Sequence, residues 1–193
     1  ISQAAVFDHG VVIIDEHRAA DAADQRLRLL RDQGAELVDI SLPEMHTLGF
    51  TNSAIVRNEA ATYHEANLRT HYELYSRFMR QRVISAWAAS PTSYLFTSQA
   101  RAILRRACSR IWNEVDVLST PAMPYEAPIL GDPSRNTTFT GPFNTLGWPA
   151  SVVPISLSSN RLPLSTQIVG KPWDDALVLR VSSAIEAARG TVR

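Results

Sequence analysis

The sequence predicts an α/β fold in which helices cover a parallel or mixed sheet, and two observations support this class. Apolar runs at 4–7 and 35–40 flank a segment, 18–33, whose apolar residues recur every three to four positions. A strand–helix–strand unit of this kind builds parallel or mixed sheets. A second pair of strand-like runs, 150–157 and 164–169, leads into a final amphipathic stretch. The pattern has no internal repeat, so we expect one domain or part of one.

Turn and capping residues set the limits of the predicted elements. Gly34 follows a helical stretch at the position where a left-handed conformation is needed, and glycine adopts it without steric cost. Ser90 and Pro91 start another helix, since proline is harmless in the first turn. The predicted elements are strands 4–7 and 11–14, helix 18–33, strand 35–40, two helices within 50–82, helix 90–114, strand 115–120, loop 121–142, strands 150–157 and 164–169, and helix 176–188. They group into a strand–helix–strand unit at 4–40, helices at 50–114, and strands with a final helix at 150–188. Within 50–82, bulk for packing comes from Tyr72, Tyr75, Phe78 and Met79.

Composition excludes several classes of function. The chain has 193 residues, of which 45% are apolar and 20% charged, as is usual for a soluble globular protein. The formal net charge is zero, so no basic surface predicts binding to nucleic acid or to an anionic membrane. No apolar run approaches the roughly 20 residues that cross a bilayer.

Cys108 is the only cysteine, which excludes an intramolecular disulfide and a cysteine metal cluster. Its place in a helical run favours a buried structural thiol over a nucleophile. A single cysteine suits a reducing compartment, so we expect a cytoplasmic protein.

Other catalytic and binding motifs are incomplete. His64-Glu65 begins like the His-Glu-x-x-His zinc motif, but Leu68 occupies its last position. His64 and His71 could share a helical face, although surface or hydrogen-bonded histidines explain them more simply. The sequence has no Gly-x-Ser-x-Gly elbow and no glycine-rich phosphate motif. We therefore predict no metal site and no cofactor.

Several short segments resemble a known family in their order and spacing. They are Ile55–Ala60 with His64, Asp116–Pro121 with Pro124 and Ala127-Pro128, Phe143-Asn144, Gly147-Trp148-Pro149-Ala150, and Leu162-Pro163 with Gln167. Together they resemble the carboxyl-terminal half of the amidase-signature hydrolases. Gly147 and Pro149 have a physical role in this pattern, because they turn the chain tightly into a central strand, where proline is tolerated at the first residue.

The resemblance implies the C-terminal part of an α/β/α layered fold with a mixed sheet, residues 1–193 forming the C-terminal half of a single domain that begins within the fold. It also implies hydrolysis of a C–N amide bond through an acyl-serine, without metal or cofactor. The family's Ser–cis-Ser–Lys triad lies in a Gly/Ser-rich segment that nothing in this sequence matches. The only lysine, Lys171, stands in a turn where the family is variable. We therefore expect no catalytic residue in this chain, inactivity of the isolated chain, and the N-terminal half of the same enzyme as its partner.

Three positions depart from the family's pattern. Arg161 and Ser165 replace the two glycines of Gly-Leu-Pro-x-Gly-x-Gln, so the local turn is expected to differ. The glutaminase subunits of tRNA-dependent amidotransferases, which this chain resembles around 136–142, usually carry an aspartate at the position of Thr137. That carboxylate fits the ammonium group of glutamine, so a threonine favours a neutral or apolar amide as the substrate.

The family's loop over the substrate pocket corresponds to 121–142 in this sequence. Long loops in compact domains are uncommon unless they serve a function, and binding residues often lie on loops that a rigid scaffold holds. The predicted substrate-binding residues are Thr137, Phe139, Thr140, Phe143, Asn144 and Trp148. The aromatic residues among them fit the apolar wall of a small-molecule site, and core packing explains them equally well.

Three hypotheses remain open at the level of sequence. The first is the pocket-forming half of an amide hydrolase. The second is a non-catalytic binding or structural module derived from the same fold. The third is a hydrolase that uses His64 or another histidine with a serine of this chain.

Overall fold

The computed structural model describes residues 3–7, 28–32, 34–132 and 137–190. The strands are β1 (Gln3–Phe7), β2 (Glu36–Ile40), β3 (Val117–Pro121), β4 (Ala150–Leu157) and β5 (Pro163–Gly170). The helices are α1 (Met45–Thr70), α2 (Arg77–Trp87), α3 (Pro91–Cys108), α4 (Gly141–Leu146) and α5 (Asp175–Arg189), with 3₁₀ turns at Tyr72–Leu74 and Ser109–Asn113. Residues 28–32 are also helical. The strand predicted at 11–14 and most of the helix predicted at 18–33 lie outside the described residues.

Within the described part of the chain, five strands form one mixed sheet in the order β2-β1-β3-β5-β4. β1 is parallel to β2 and β3, whereas β5 is antiparallel to β3 and β4. The predicted α/β class with a mixed sheet is confirmed. The register of β3 against β5 pairs Leu118 with Val169 and Thr120 with Gln167.

Each face of the sheet carries its own apolar core, because successive residues of β3 and β5 point to opposite sides. On one face, Leu118 and Val169 pack against α1, α3 and α4. The other members of this first core are Leu42, Met45, Leu48, Cys108, Ile111, Val115, Phe143, Leu146 and Trp148. On the opposite face, Val117 and Ile168 pack against α5 and the stretch 28–32. The other members of this second core are Leu29, Leu30, Ala35, Val153, Ile155, Val178, Val181 and Ile185. Helices therefore cover both faces in an α/β/α arrangement.

Gly34 ends the helical stretch at 28–32 with a φ of +80°. Its N–H donates to the Arg31 carbonyl at 2.8 Å, and the N–H of Ala35 donates to the Leu30 carbonyl at 3.1 Å. These two bonds form a Schellman motif, which satisfies carbonyls that a helix end leaves free. The glycine stop predicted from the sequence is present.

Several predicted boundaries are wrong, and the second helix within 50–82 continues to Trp87. α1 begins at Met45, before the predicted start at residue 50, and its N-cap Glu44 makes no side-chain capping bond. The sequence therefore carries no capping signal at that helix start. α4 begins at Gly141, within the last two residues of the loop predicted at 121–142, and its six residues are too few to show a helical period.

The helices α1, α2 and α3 form a layer that leaves many large apolar side chains in solvent. Ala61, Leu68, Val83 and Ala86 form a small core between α1 and α2. Of the residues predicted to supply bulk there, Tyr75 and Met79 pack against this core, whereas Phe78 is 67% exposed. We call the following residues the exposed apolar set: Phe50, Val56, Tyr63, Tyr72, Leu74, Phe78, Ile84, Trp87, Leu95, Phe96 and Ile103. None of the described helices combines the length and apolar character that crossing a membrane requires.

Candidate functional site

A pair of polar side chains interrupts the first core, on the sheet face that α4 covers. Thr120 and Gln167 are register partners, two residues along their strands from Leu118 and Val169, so they lie on the same face. Thr120 is fully buried and Gln167 is 2% exposed. Buried polar groups cost free energy unless they form hydrogen bonds. The hydrogen-bond partners of Thr120 and Gln167 therefore show which parts of the chain these two side chains connect.

Gln167 joins the sheet to the loop that precedes α4. Its Nε2 donates to Thr120 Oγ1 at 3.1 Å and to the carbonyl oxygen of Phe139 at 3.1 Å. A side-chain amide nitrogen carries two hydrogens, and both are used here. The backbone at Phe139 is thereby tied to β5, next to the predicted site residues Thr137 and Thr140.

A second polar pair lies on the opposite face of the same strands. Thr166 Oγ1 donates to the Thr120 carbonyl at 3.2 Å and lies 3.1 Å from Ser119 Oγ. Because Thr166 uses its one hydrogen on that carbonyl, Ser119 is the donor between the two hydroxyls. Both side chains are fully buried. The centre of the sheet thus contains a satisfied polar network, which rigidifies its surroundings.

α4 ends in a turn that requires glycine. Gly147 has a φ of +68°, and its N–H donates to the carbonyls of Phe143 and Asn144 at 2.9 and 3.2 Å. The N–H of Trp148 donates to the Phe143 carbonyl at 3.2 Å, which completes a second Schellman motif. The rings of Phe143 and Trp148 stack with their centroids 6.2 Å apart. The tight turn expected at Gly147 is therefore a helix stop with its accompanying apolar contact.

Two long-range contacts hold α4 against the helical layer. Thr145 Oγ1 donates to the Leu48 carbonyl at 3.0 Å, and Arg101 Nε donates to the Thr145 carbonyl at 2.7 Å. Arg101 thus lies at the carboxyl end of α4, where a cation is favourable. The sequence did not identify either contact, because the partners are 97 and 44 positions apart.

The polar residues predicted for the site lie at the surface of the loop and of α4. Thr137 and Asn144 are exposed and Thr140 is partly exposed. The Gly141 N–H donates to the Thr137 carbonyl at 2.8 Å, and the Asn144 N–H donates to the Thr140 carbonyl at 3.3 Å. Successive turns of one short segment therefore carry all three side chains.

The aromatic residues predicted for the site lie beneath that surface. Phe139, Phe143 and Trp148 are 9%, 1% and 6% exposed. Phe143 and Trp148 belong to the first core, and Trp148 also meets Trp112 edge to face at 4.7 Å. These contacts agree with the explanation that the aromatic residues serve in core packing. The aromatic rings lie below the polar side chains of the loop and support them.

Two clefts lie on the helical layer. One, of about 560 Å³, is lined by Tyr72, Arg77, Arg80, Gln81, Ile84 and Ser85. The other, of about 180 Å³, lies between α1 and α3 and includes Arg101 and Arg105. Neither includes a residue of the segment 137–148.

Lys171 and His64 make ordinary structural contacts. Lys171 is 58% exposed in the turn between β5 and α5, with its Nζ 3.6 Å from an oxygen of Asp174. His64 Nδ1 lies 3.0 Å from the Tyr75 hydroxyl, and the two rings meet edge to face. Over the described ranges, no three His, Cys, Asp or Glu side chains are grouped so as to hold a metal ion.

Cys108 is the buried structural thiol that the sequence predicted. Burial raises its pKa to about 11; the Glu44 carboxylate adds to the rise and the Arg110 guanidinium opposes it. Because the thiolate is the nucleophile, a raised pKa makes the thiol unreactive.

The turn between β4 and β5 contains a residue with a left-handed backbone conformation that is not glycine. Arg161 has a φ of +60°, and its N–H donates to the Ser158 carbonyl at 2.9 Å. Ser158 Oγ accepts from the N–H groups of Asn160 and Leu162, both at 3.2 Å. Arg161 thus adopts the conformation that glycine favours.

Similar proteins of known function or structure are longer than this chain. The chain is 30% identical over 194 residues to a glutamyl-tRNA(Gln) amidotransferase subunit of Zymomonas mobilis, covering 84% of this chain and 39% of that protein. It is 30% identical over 187 residues to the 2-amino-5-chloromuconic acid deaminase of Comamonas testosteroni, covering 89% and 39%. It matches a crystal structure of an amidase with a TM-score of 0.84 and 26% identity, covering 97% of this chain and 46% of that one. The chain thus spans about 39% of the length of these two curated relatives.

The family match runs through the whole site. The family described as Amidase matches residues 5–179, a range that contains the polar network, the loop 137–140 and the glycine stop of α4. The crystal structure of an amidase has the same fold over nearly all of this chain. The chain therefore belongs to the amidase family of amidase-signature enzymes.

Proposed function

We propose that this chain is the substrate-binding and sheet-completing part of an enzyme that hydrolyses a C–N amide bond. The observation that carries the proposal is the amidase match over residues 5–179, in a chain that spans 39% of its curated relatives. Two of the similar proteins are named as a deaminase and an amidase. Both names denote cleavage of a carbon–nitrogen bond.

The catalytic triad comes from a segment that precedes this one. Acyl-serine chemistry needs an activated serine, and in amidase-signature enzymes a relay serine and a lysine activate it. The sequence contains no Gly/Ser-rich segment of that kind. Its one lysine, Lys171, lies in an exposed turn beside Asp174. The N-terminal half of the same enzyme therefore supplies the triad, either as a separate chain or as part of the same polypeptide, and the isolated chain is inactive.

The exposed apolar set supports a partner of this kind. Monomeric proteins rarely leave large contiguous apolar patches in solvent, and such patches commonly mark interaction surfaces. Most of the large exposed apolar side chains of the described residues lie between Phe50 and Ile103.

A neutral amide suits the residues around the loop. Thr137, Thr140 and Asn144 offer uncharged polar contacts, and Phe139, Phe143 and Trp148 form the apolar support below them. The segment 137–150 contains no charged residue. The guanidinium of Arg101 lies at the end of α4, where it disfavours a substrate that carries an ammonium group.

Complementation tests this function. The chain is purified alone and together with the polypeptide encoded directly upstream of Ile1, and the release of amine from acetanilide is compared with the release of ammonia from glutamine. We expect no hydrolysis by the chain alone, and faster hydrolysis of acetanilide than of glutamine by the complex.

The variant Thr137→Asp tests the assignment of substrate charge. In the complex it is expected to shift the preference toward glutamine by roughly fivefold, the effect of one partly exposed ion pair. Thr138→Asp, which places the same charge one residue away, serves as the matched control. Hydrolysis by the isolated chain would contradict the proposal. A complex that binds amides without cleaving them would instead favour the non-catalytic module.

A further inference from the structure

We propose that Gln167 is a positioning residue that holds the loop 137–140 at a fixed height over the sheet and so sets the place of the polar residues that meet the substrate. The part of the inference that concerns substrate rests on the proposed function. The part that concerns the loop rests on the contacts of this chain alone.

The backbone of Gln167 is fixed on both sides. β5 lies between β3 and β4 in the sheet, and Gln167 is the register partner of Thr120 on one neighbour and of Val152 on the other. Thr120 Oγ1 also accepts one of the two hydrogens of the Gln167 amide. The position of the second amide hydrogen is therefore also defined, and Gln167 donates this hydrogen to the Phe139 carbonyl.

The Phe139 carbonyl is a central point of the loop. The bond from the Gly141 N–H to the Thr137 carbonyl closes a turn around it, and Thr140 is the next residue. A shift of that carbonyl would move both threonines, and with them the start of α4. Phe139 itself is buried, whereas Thr137 is exposed. The hydrogen bond from Gln167 therefore holds the buried side of a loop whose other side faces solvent.

Few other side chains could make this tie. Methionine has a similar length but no donor, and asparagine is one methylene shorter. Glutamate has the length but, when ionised, only accepts hydrogen bonds, so it could not donate to the Phe139 carbonyl. A side chain that must reach two acceptors from one buried position on a strand is thus best provided by glutamine.

Hydrogen exchange on the isolated chain tests the tie directly. In Gln167→Met, amides of 137–146 are expected to exchange about tenfold faster because the bond to the Phe139 carbonyl is lost, while amides of β3 and β4 keep their rates. Thr120→Val is expected to accelerate exchange in the same segment by a smaller factor. Thr120→Ser, which keeps the hydroxyl, is expected to show the exchange rates of the original chain.

Thr166→Val is the matched control, because it removes two buried hydrogen bonds from the same sheet on the face that does not touch the loop. It should not accelerate exchange preferentially at 137–146. An equal acceleration over the whole sheet in Gln167→Met would show a general structural role and overturn the inference, as would unchanged rates in the loop.

The complex with the upstream polypeptide tests the consequence for substrate. Gln167→Met is expected to raise KM for acetanilide about tenfold, with a much smaller change in kcat, since the tie places binding residues and not the triad. An unchanged KM with a faster-exchanging loop would overturn the substrate part. If the original complex hydrolyses no amide, the proposed function fails, and the exchange measurement still decides whether Gln167 holds the loop.

Discussion

The unit formed by β3, α4, β4 and β5, here called the signature unit, and the helical layer of α1–α3 treat their large side chains differently. In the signature unit, Leu118, Phe143 and Trp148 are at most 6% exposed, and the polar side chains within the sheet are hydrogen-bonded. In the helical layer, Phe78 and Phe96 are 67% and 69% exposed. The core residues of the signature unit are therefore covered, in part by α1 and α3, whereas the helical layer also leaves large apolar side chains in solvent.

This difference indicates where the buried contacts of the chain are concentrated and, under the proposed function, where a partner would bind. Apolar burial is the main favourable contribution to folding, so stability should be concentrated around the signature unit. Exposed apolar side chains contribute little to the isolated chain and much to association. Substitutions of the same type should therefore have different effects in the two regions.

The largest difference is expected from truncating one phenylalanine in each region. Phe143→Ala removes a ring that is 1% exposed and is expected to lower the free energy of unfolding by about 3–5 kcal/mol. Phe78→Ala removes a ring that is 67% exposed and is expected to change it by less than about 0.5 kcal/mol. Urea denaturation of the two variants measures both. Equal losses would remove the distinction between the regions.

A second prediction concerns association. Phe96 and Ile103 lie seven residues apart on α3 and are 69% and 67% exposed, so they share one helical face. Phe96→Ser combined with Ile103→Ser is expected to weaken binding to the upstream polypeptide by at least about a hundredfold, since burying such side chains contributes about 1.5–3 kcal/mol each. Isothermal titration calorimetry measures the affinity.

The matched control for association is Leu179→Ser on α5. Leu179 is 62% exposed but lies outside the helical layer, so its substitution should leave the affinity unchanged. If Leu179→Ser weakened binding as strongly as the α3 pair, the partner would not be specific for the helical layer.

The smallest effects are expected at two left-handed positions of the signature unit. Gly147→Ala is expected to cost about 1–2 kcal/mol because Gly147 has a φ of +68°. Arg161→Gly is expected to stabilise by about 1 kcal/mol, since Arg161 holds a φ of +60° without being glycine. Gly49→Ala, in a helix without a neighbour to obstruct a methyl group, is the control and should stabilise slightly. Thermal melts order the three, and a stabilising Gly147→Ala would show that the stop of α4 needs no glycine.

Local signals in the sequence predicted the parts of the fold that depend on neighbouring residues. The strand at 150–157 has the predicted bounds, and the glycine stop at Gly34 was visible as a turn residue after a periodic segment. The start of α1 was missed because Glu44 forms no capping bond. α4 was missed because six residues are too few for a period to appear.

The contacts that build the candidate site were beyond such signals. Gln167 bonds to Phe139, 28 positions away, and Arg101 bonds to Thr145, 44 positions away. Neither pairing can be predicted from a single sequence, because only the register of β3 with β5 and the packing of α4 bring these atoms together. The exposure of Phe78 and Leu95 was equally hidden, because helical periodicity shows an apolar face and not what covers it.

Hydrogen exchange across the whole isolated chain tests the central comparison most directly. We expect strong protection in β3, α4, β4 and β5, weak protection in α2 and α3, and a gain in α2 and α3 alone when the upstream polypeptide is added, because local openings follow the density of buried contacts. Equal protection in both regions of the isolated chain, with no gain on addition of that polypeptide, would contradict the account.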